Sequence, residues 1–300
     1  MRSSFVSVVL AAALLAACES NSSGERKAFA VAVPDTGRVT VDGGSLFYEA
    51  AGVGDAIVLI HGGNLDHRMW DAQFVLLQRT HRVIRYDARG FGISSAVDRS
   101  FRAPDDLAAL LRAHGIAKAT LVGLSMGGGI AIDFALAYPD MVHRLVLASP
   151  SISGGTWAPD ADTLWLRAGR AAFARGDSVG LALAWLQSDY IRTALHPPEQ
   201  ADRLKTMLLD NAGHLMRRAR EQSVEREVSP PAANRLSELR APILLLVGSA
   251  DTPLILSMAQ AITQQARQVE RVDFAGIGHM INLEAPDEFN RALSAFLARR

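Results

Sequence analysis

The sequence predicts an α/β fold with a mostly parallel sheet flanked by helices. Short apolar, β-branched runs alternate with helix-like runs along the chain. Such alternation indicates right-handed crossovers between parallel strands. Of 300 residues, 49% are hydrophobic, enough to fill the core of a large α/β domain. The alternation stops over residues 151–236, where helical patches replace it, so we expect residues 37–150 and 237–300 to form the core around a helical insertion.

The first half of the core contains six predicted strands. A hairpin opens it, and the continuous apolar run at 56–60 is typical of a central strand covered on both faces. Gly115 is expected to end a helix. The predicted strands are 38–41, 45–50, 56–60, 82–86, 119–122 and 144–148, and the predicted helices are 70–79, 105–114 and 128–137.

The second half of the core resumes after the insertion with two predicted strands and two predicted helices. The strands are 242–248 and 269–274, and the helices are 253–267 and 286–299. Pro-Pro pairs at 197–198 and 230–231 interrupt the insertion itself, as is typical of loops.

The N-terminus predicts an exported protein. One arginine precedes a thirteen-residue apolar run over 5–17, too short to span a bilayer but suited to a secretory signal. Small residues precede Cys18, the only cysteine. This resembles the lipobox of bacterial lipoproteins and implies that a signal peptide of residues 1–17 is removed and Cys18 is lipidated. The alternative is an ordinary signal peptide cut near Ala17, with Cys18 left free.

Residues 18–36 are rich in small and polar residues and are expected to form a flexible tether to the membrane. Glu19 follows the cysteine. By resemblance to lipoprotein sorting in double-membraned bacteria, this favours the outer membrane. The expected location is therefore the periplasmic or extracellular face of a bacterial membrane.

The charge balance gives no indication of nucleic-acid binding. Lys plus Arg equals Asp plus Glu at 31 each, and no basic stripe stands out. We find no phosphate-binding glycine-rich motif and no metal-ligand spacing, so no cofactor or metal is expected. The sequence leaves the oligomeric state open.

Ser125 is the predicted nucleophile. It lies in Gly123-Leu124-Ser125-Met126-Gly127, a G-x-S-x-G pattern between an apolar strand and an apolar helix. A serine on such a sharp turn exposes its hydroxyl at a helix N-terminus, where it can attack a carbonyl carbon. The pattern alone occurs by chance, but its strand and helix context favours the nucleophile.

His279 is the predicted general base among eight histidines. It follows the last strand and precedes the last helix, and ligands of open α/β sheets collect at the carboxyl ends of strands. His61 also ends a strand and is expected to brace a loop. The other six are expected to be solvated: His67, His81, His114, His143, His196 and His214.

Asp251 is the predicted partner of the histidine, because it follows the strand next to the one before His279. The alternative role for Asp251 is an N-cap of the helix that starts at Pro253. Asp273 lies within a strand and faces the wrong way, and Asp87 is expected to brace a loop.

Backbone N–H groups are needed to stabilise the oxyanion that forms on attack. One predicted donor is Met126, directly after the serine. The second is Gly63 in the loop after the central strand, with Asn64 as the alternative.

These motifs together resemble the α/β-hydrolase superfamily over about residues 37–299. The order Ser125, Asp251, His279 and the upstream His61-Gly62 loop carry the resemblance. The branch most similar holds 3-oxoadipate enol-lactonase-like enzymes, aryl esterases and cofactor-free haloperoxidases. At Ser125 the chain departs from the haloalkane dehalogenases and epoxide hydrolases, relatives that use Asp at the nucleophile position. The resemblance implies that residues 151–236 form a cap over the active site.

The expected activity is hydrolysis of a carboxylic ester or lactone through an acyl-enzyme. A C–C bond hydrolase and an acyltransferase or perhydrolase remain alternatives that use the same triad. The non-enzymatic alternative is a tethered binding lipoprotein. Apolar residues of the cap could line the substrate pocket, although each is more simply a core residue: Trp157, Trp165, Phe173, Trp185, Met207 and Met216.

Overall fold

A computed structural model describes residues 33–97, 100–157, 163–220 and 228–299. The predicted signal peptide, Cys18 and most of the predicted tether lie outside these ranges, as do residues 158–162 and 221–227 of the insertion. In the part of the chain that is described, no helix is both long and apolar enough to cross a bilayer.

One mostly parallel sheet forms the centre of the described residues, as the alternation of strands and helices predicts. Its spatial order is β1-β2-β4-β3-β5-β6-β7-β8. The β1–β2 and β2–β4 pairs are antiparallel, and the other neighbours are parallel. The strands are β1 (Asp35–Val41), β2 (Gly44–Ala51), β3 (Ala56–Ile60), β4 (Arg82–Tyr86), β5 (Ala119–Leu124), β6 (Val142–Ala148), β7 (Ile243–Gly248) and β8 (Val269–Phe274).

Helices cover both faces of this sheet. In β3, Val58 and Ile60 face one apolar cluster, whereas Ile57 and Leu59 face the other. The helices are α1 (Asp71–Leu77), α2 (Ala103–Ala113), α3 (Met126–Ala137), α4 (Leu164–Ala174), α5 (Ser178–Leu186), α6 (Pro198–Asp210), α7 (Ala212–Arg220), α8 (Pro253–Gln265), α9 (Ile281–Glu284) and α10 (Pro286–Leu297).

Some element boundaries differ from the prediction for local reasons. The first strand begins at Asp35, inside the range predicted as tether, because Asp35 pairs in register with Ala50. The helix expected from residue 70 begins at Asp71, because a 3-10 turn occupies His67–Trp70. The Asp66 side chain accepts the Arg68 N–H and fixes that turn.

The insertion between β6 and β7 is helical in its described residues, where it contributes α4 to α7 and no strand. Leu204, Met207 and Leu208 of α6 are buried in the same apolar cluster as Trp70 and Met280 of the core. The insertion therefore packs against the sheet domain through a continuous apolar contact.

Candidate active site

Ser125 sits on a strained turn between β5 and α3. Its backbone adopts φ +54° and ψ −117°, a conformation that costs a non-glycine residue about 1–3 kcal/mol. Three backbone hydrogen bonds hold it there: Ser125 N–H donates to the Ala148 carbonyl at 3.0 Å, and its own carbonyl accepts from the N–H groups of Gly129 and Ser151 at 3.0 Å each. The turn therefore fixes the position of the hydroxyl.

The glycines around Ser125 are required by close backbone packing. A Cβ on Gly123 would lie 2.2 Å from the Gly127 carbonyl oxygen, and one on Gly127 would lie 2.1 Å from the Ile60 carbonyl oxygen. Gly128 packs against Pro150, at 2.6 Å from such an atom to Pro150 Cβ. The G-x-S-x-G pattern thus lets β5, α3 and β3 approach closely at the serine.

His279 and Asp251 form a buried hydrogen-bonded pair. Nδ1 of His279 lies 2.9 Å from Oδ2 and 3.1 Å from Oδ1 of Asp251. Both residues are buried, at 2% and 6% exposure. Because an ionised carboxylate only accepts, this pairing places the imidazole proton on Nδ1 and leaves Nε2 as the unprotonated nitrogen.

The competing roles for aspartates are resolved by their contacts. The N-cap of α8 is Thr252, whose hydroxyl accepts the Ile255 N–H at 3.5 Å, so Asp251 is not the capping side chain. Asp273 pairs with Arg271 on the exposed face of β8. Asp87 accepts from the His67 N–H and the Ile93 N–H, which braces its loop.

Glu284 holds the loop that carries His279, and the sequence reasoning assigned it no role. Its Oε2 accepts the Gly278 N–H at 2.9 Å, and its Oε1 accepts the Met280 N–H at 3.0 Å. The carboxylate therefore clamps the backbone on both sides of His279. A carboxylate five residues after the histidine, at the end of α9, is the signal in the sequence.

The loop after β3 approaches Ser125 from the other side. A Cβ on Gly63 would lie 3.8 Å from Met126 Cβ, so the two predicted oxyanion donors are neighbours. The Gly62 N–H donates to Met69 Sδ at 3.0 Å, and Asn64 has φ +62°. Met126 begins α3, and the first N–H groups of a helix have no partner within it.

His61 braces this loop through both of its ring nitrogens. Its Nε2 accepts the Ala88 N–H at 2.9 Å, so the proton is on Nδ1, which donates to the Gly62 carbonyl at 2.8 Å. Burial lowers the pKa of His61, although Asp87 and the Gly62 carbonyl act in the opposite direction. The neutral imidazole is therefore the form that fits the fold.

His67 differs from the sequence expectation, because it is largely buried rather than solvated. Its Nδ1 lies 2.7 Å from Oδ1 of Asp87, and Asp66 beside it bonds to Arg68 and Asn211. The carboxylate oxygens of Asp66 and Asp87 and the ring nitrogen of His67, which are atoms of the kind that bind metal ions, lie within 4.8 Å of one another. Their hydrogen bonds to protein partners give this cluster a structural role in tying two loops together.

A cavity of about 360 Å³ lies over Ser125 and His279, and its described lining includes Gly63 and Asn64 but not Asp251 or Met126. Most of its other described lining is apolar. The lining comprises Gly62, Gly63, Asn64, Leu65, Leu124, Ser125, Ser151, Trp165, Trp185, Tyr190, Ile191, Leu254, Ile255, Met258, His279 and Met280.

Aromatic side chains of the insertion form one side of this cavity. Trp165 packs edge-on to Trp185 at 5.3 Å between ring centroids, and Trp185 stacks on Tyr190 at 5.5 Å. Tyr190 in turn meets the His279 ring edge-on at 4.9 Å.

Of the six apolar side chains predicted as pocket candidates, only Trp165 and Trp185 are among the described lining residues. Met207 and Met216 are buried elsewhere, and Trp157 donates its indole N–H to the Gly154 carbonyl. Tyr190 was missed, because it lies after α5 in a segment with no helical periodicity.

Comparison with known proteins decides the family. The model of the alpha/beta hydrolase fold family matches residues 55–286, most of the chain. The chain belongs to the α/β-hydrolase family. It is a hydrolase of that family, and the fold expected from the sequence is confirmed.

Two curated relatives and one solved structure illustrate the neighbourhood of this hydrolase. A 2-hydroxy-6-oxononadienedioate/2-hydroxy-6-oxononatrienedioate hydrolase of Burkholderia vietnamiensis is 29% identical, over 84% of this chain and 90% of the relative. The 3-oxoadipate enol-lactonase 2 of Acinetobacter baylyi is 26% identical, over 85% and 94%. A solved N-acyl homoserine lactone degrading enzyme is 25% identical, with a TM-score of 0.70 over 87% of this chain and all of that one.

Proposed function

We propose that this hydrolase cleaves a carboxylic ester or lactone through an acyl-enzyme on Ser125. The observation that carries the proposal is the cavity that both Ser125 and His279 line, with His279 hydrogen-bonded to Asp251. Esterases and lactonases are among the similar proteins, which agrees with this reaction class.

The first step is attack by Ser125 Oγ on the carbonyl carbon of the substrate. His279 takes the hydroxyl proton at Nε2, and Asp251 stabilises the resulting imidazolium through Nδ1. The negative charge that develops on the carbonyl oxygen is stabilised by the N–H groups of Met126 and Gly63, or of Asn64 in place of Gly63. The protonated histidine then donates its proton to the leaving alcohol.

The second step releases the acid. Water enters the space left by the alcohol and loses a proton to His279 Nε2 as its oxygen attacks the acyl carbon. The tetrahedral intermediate collapses, and Ser125 Oγ recovers the proton from His279. No step requires a metal or an organic cofactor.

Replacement of Ser125 by alanine tests this proposal. With a 4-nitrophenyl ester, kcat/KM of the Ser125→Ala variant should fall by about 10⁴-fold or more, since the nucleophile is lost. Ser151 is the matched control, because it also lines the cavity while its hydroxyl donates to the Ser125 carbonyl at 3.3 Å. Ser151→Ala should stay within about 10-fold of the parent protein. Retained activity in Ser125→Ala, or an equal loss in both variants, would overturn the assignment.

A C–C bond hydrolase is the second candidate, and the relative named as a 2-hydroxy-6-oxononadienedioate hydrolase favours it. An acyltransferase or perhydrolase would use the same triad with another acceptor. Product analysis separates these three activities. An esterase releases an acid and an alcohol from an ester, and a C–C bond hydrolase releases two fragments from a dienedioate. An acyltransferase forms a new ester when a competing alcohol is present.

We also propose that the protein is exported and anchored through Cys18, on the N-terminal sequence alone. Mass spectrometry of the protein from a bacterial membrane fraction should find an acylated N-terminal cysteine. A soluble product cut near Ala17 would contradict the anchor.

A further inference from the structure

The cavity above Ser125 has two apolar walls that come from different parts of the chain. Leu254, Ile255 and Met258 lie in the first two turns of α8 and form the wall of the sheet domain. The second wall contains the aromatic side chains of Trp165 and Tyr190 from the insertion. A bound acyl group would therefore have both an aliphatic and an aromatic surface to contact.

The described lining of this cavity lacks a fixed positive charge. None of its residues is Lys or Arg, and His279 is committed to Asp251. The other polar groups of this lining are neutral: they are the side chains of Asn64, Ser125, Ser151 and Tyr190 and the unpaired indole N–H groups of Trp165 and Trp185. A carboxylate on the far end of an acyl chain would lose its hydration here and gain no counter-ion, which is costly.

The size of the cavity also suits such an acyl group. Small-molecule sites commonly span roughly 300–1,000 Å³, and this cavity of about 360 Å³ lies within that range. A short or single-ring acyl group fits within this volume.

We propose that this hydrolase is selective for neutral, apolar acyl groups, aromatic or aliphatic, and discriminates against acyl groups that end in a carboxylate. This inference rests on the proposed ester or lactone hydrolysis at Ser125. Selectivity arises because the anionic acyl group must be desolvated between Leu254, Met258 and the aromatic wall, while the neutral one gains apolar contact.

The test compares three 4-nitrophenyl esters as substrates of the unmodified protein. They are the pentanoate, the monoester of glutaric acid, and the same glutarate with its second carboxyl blocked as a methyl ester. The leaving group is constant, and the methyl glutarate controls for chain length and polarity. We expect kcat/KM for the pentanoate and the methyl glutarate to exceed that for the anionic glutarate by about 100-fold or more.

A charge-introducing variant tests the same idea from the protein side. Leu254 is half-buried at the cavity, so arginine can be placed there, and Leu254→Gln is the matched neutral control. Leu254→Arg should raise the ratio of anionic to neutral turnover by about 10-fold, and Leu254→Gln should leave that ratio unchanged.

Arg226 is the one basic residue in the two stretches of the insertion outside the described residues. Arg226→Gln should leave the preference for neutral esters as it is. If this variant lost turnover of the anionic ester selectively, a cationic acyl site would exist and the inference would be overturned.

The outcomes separate this inference from the proposed function. Equal kcat/KM for neutral and anionic esters would overturn the inference and leave serine hydrolysis intact. Absence of hydrolysis of all three esters, with no labelling of Ser125, would instead overturn the proposed function. The ratio for the unmodified protein decides the matter even where Leu254→Arg fails to fold.

Discussion

The sheet domain and the helical insertion contribute to the active site in different ways. The sheet domain places Ser125, Asp251 and His279 just after β5, β7 and β8, where backbone hydrogen bonds fix their positions. The insertion contributes Trp165 and Tyr190, which are held by ring packing. The difference indicates a division of labour: the residues that follow β5, β7 and β8 set the reaction rate, and the insertion contributes, together with α8, to substrate choice.

This division predicts that changes in the residues that follow β5, β7 and β8 lower the rate for every substrate equally. Asp251→Asn should have the largest such effect, because the amide holds His279 in the wrong tautomer. We expect kcat to fall by about 10³–10⁴-fold for each ester in a panel, with the ranking of esters unchanged. Steady-state kinetics on matched acyl groups measures both quantities. A selective loss for one acyl group would break the comparison.

Glu284 should show a smaller effect of the same kind. Glu284→Ala removes both acceptors that clamp the backbone around His279, and a misplaced base costs about 10²-fold in kcat. Glu284→Gln keeps one acceptor oxygen and should recover part of kcat, while KM changes little. If Ala and Gln variants were equally impaired, or if only KM moved, the clamp would not position the histidine.

The insertion should show the opposite signature. Trp165→Ala removes an aromatic ring from the lining and enlarges the cavity there. It should change the ratio of kcat/KM between benzoyl and acetyl esters by about 10-fold. Trp157→Ala is the matched control, because this tryptophan of the insertion is outside the described lining. Equal ratios in both variants would argue that the insertion does not select the acyl group.

A change at His61 in the sheet domain should alter stability and not rate, and we expect its effect to be the smallest of those described. Burial lowers the pKa of His61 in the folded state below the ordinary 6.5. Below pH 6.5 this histidine is therefore protonated in the unfolded chain but stays neutral in the folded protein. Stability is therefore lost as pH falls, by at most about 1.4 kcal/mol per pH unit.

Urea unfolding at pH 7, 6 and 5 measures this loss. His61→Gln should be less stable at pH 7 but show a shallower pH dependence than the parent protein, because the buried titrating group is gone. The remaining histidines provide the common background. If the free energy of unfolding changed equally with pH in both proteins, His61 would not be the buried neutral histidine that stabilises the loop after β3.

The sheet domain was predictable from the sequence because each site residue follows an apolar strand. Ser125, Asp251 and His279 are fixed by local patterns that end strands β5, β7 and β8. The insertion was not predictable beyond its helical character. Its helices α4, α6 and α7 each have one apolar face, but whether that face lines the cavity or packs in the core depends on long-range packing.

Asn211 shows this limit most clearly. Its amide donates to Asp66 at 2.8 Å and accepts the Gly92 N–H at 2.7 Å, which joins the insertion to two loops of the sheet domain. These partners are separated by 145 and 119 residues in the chain. No local pattern indicates such a contact, just as none indicates that Tyr190 meets His279.

The most direct test of the central claim is covalent labelling with a fluorophosphonate, followed by peptide mapping. The geometry predicts one adduct, on Ser125, formed by the parent protein and strongly reduced in His279→Ala, because the serine then lacks its base. Circular dichroism establishes that both proteins are folded. An adduct on another serine, or a folded parent protein that does not react, would contradict Ser125 as the activated nucleophile.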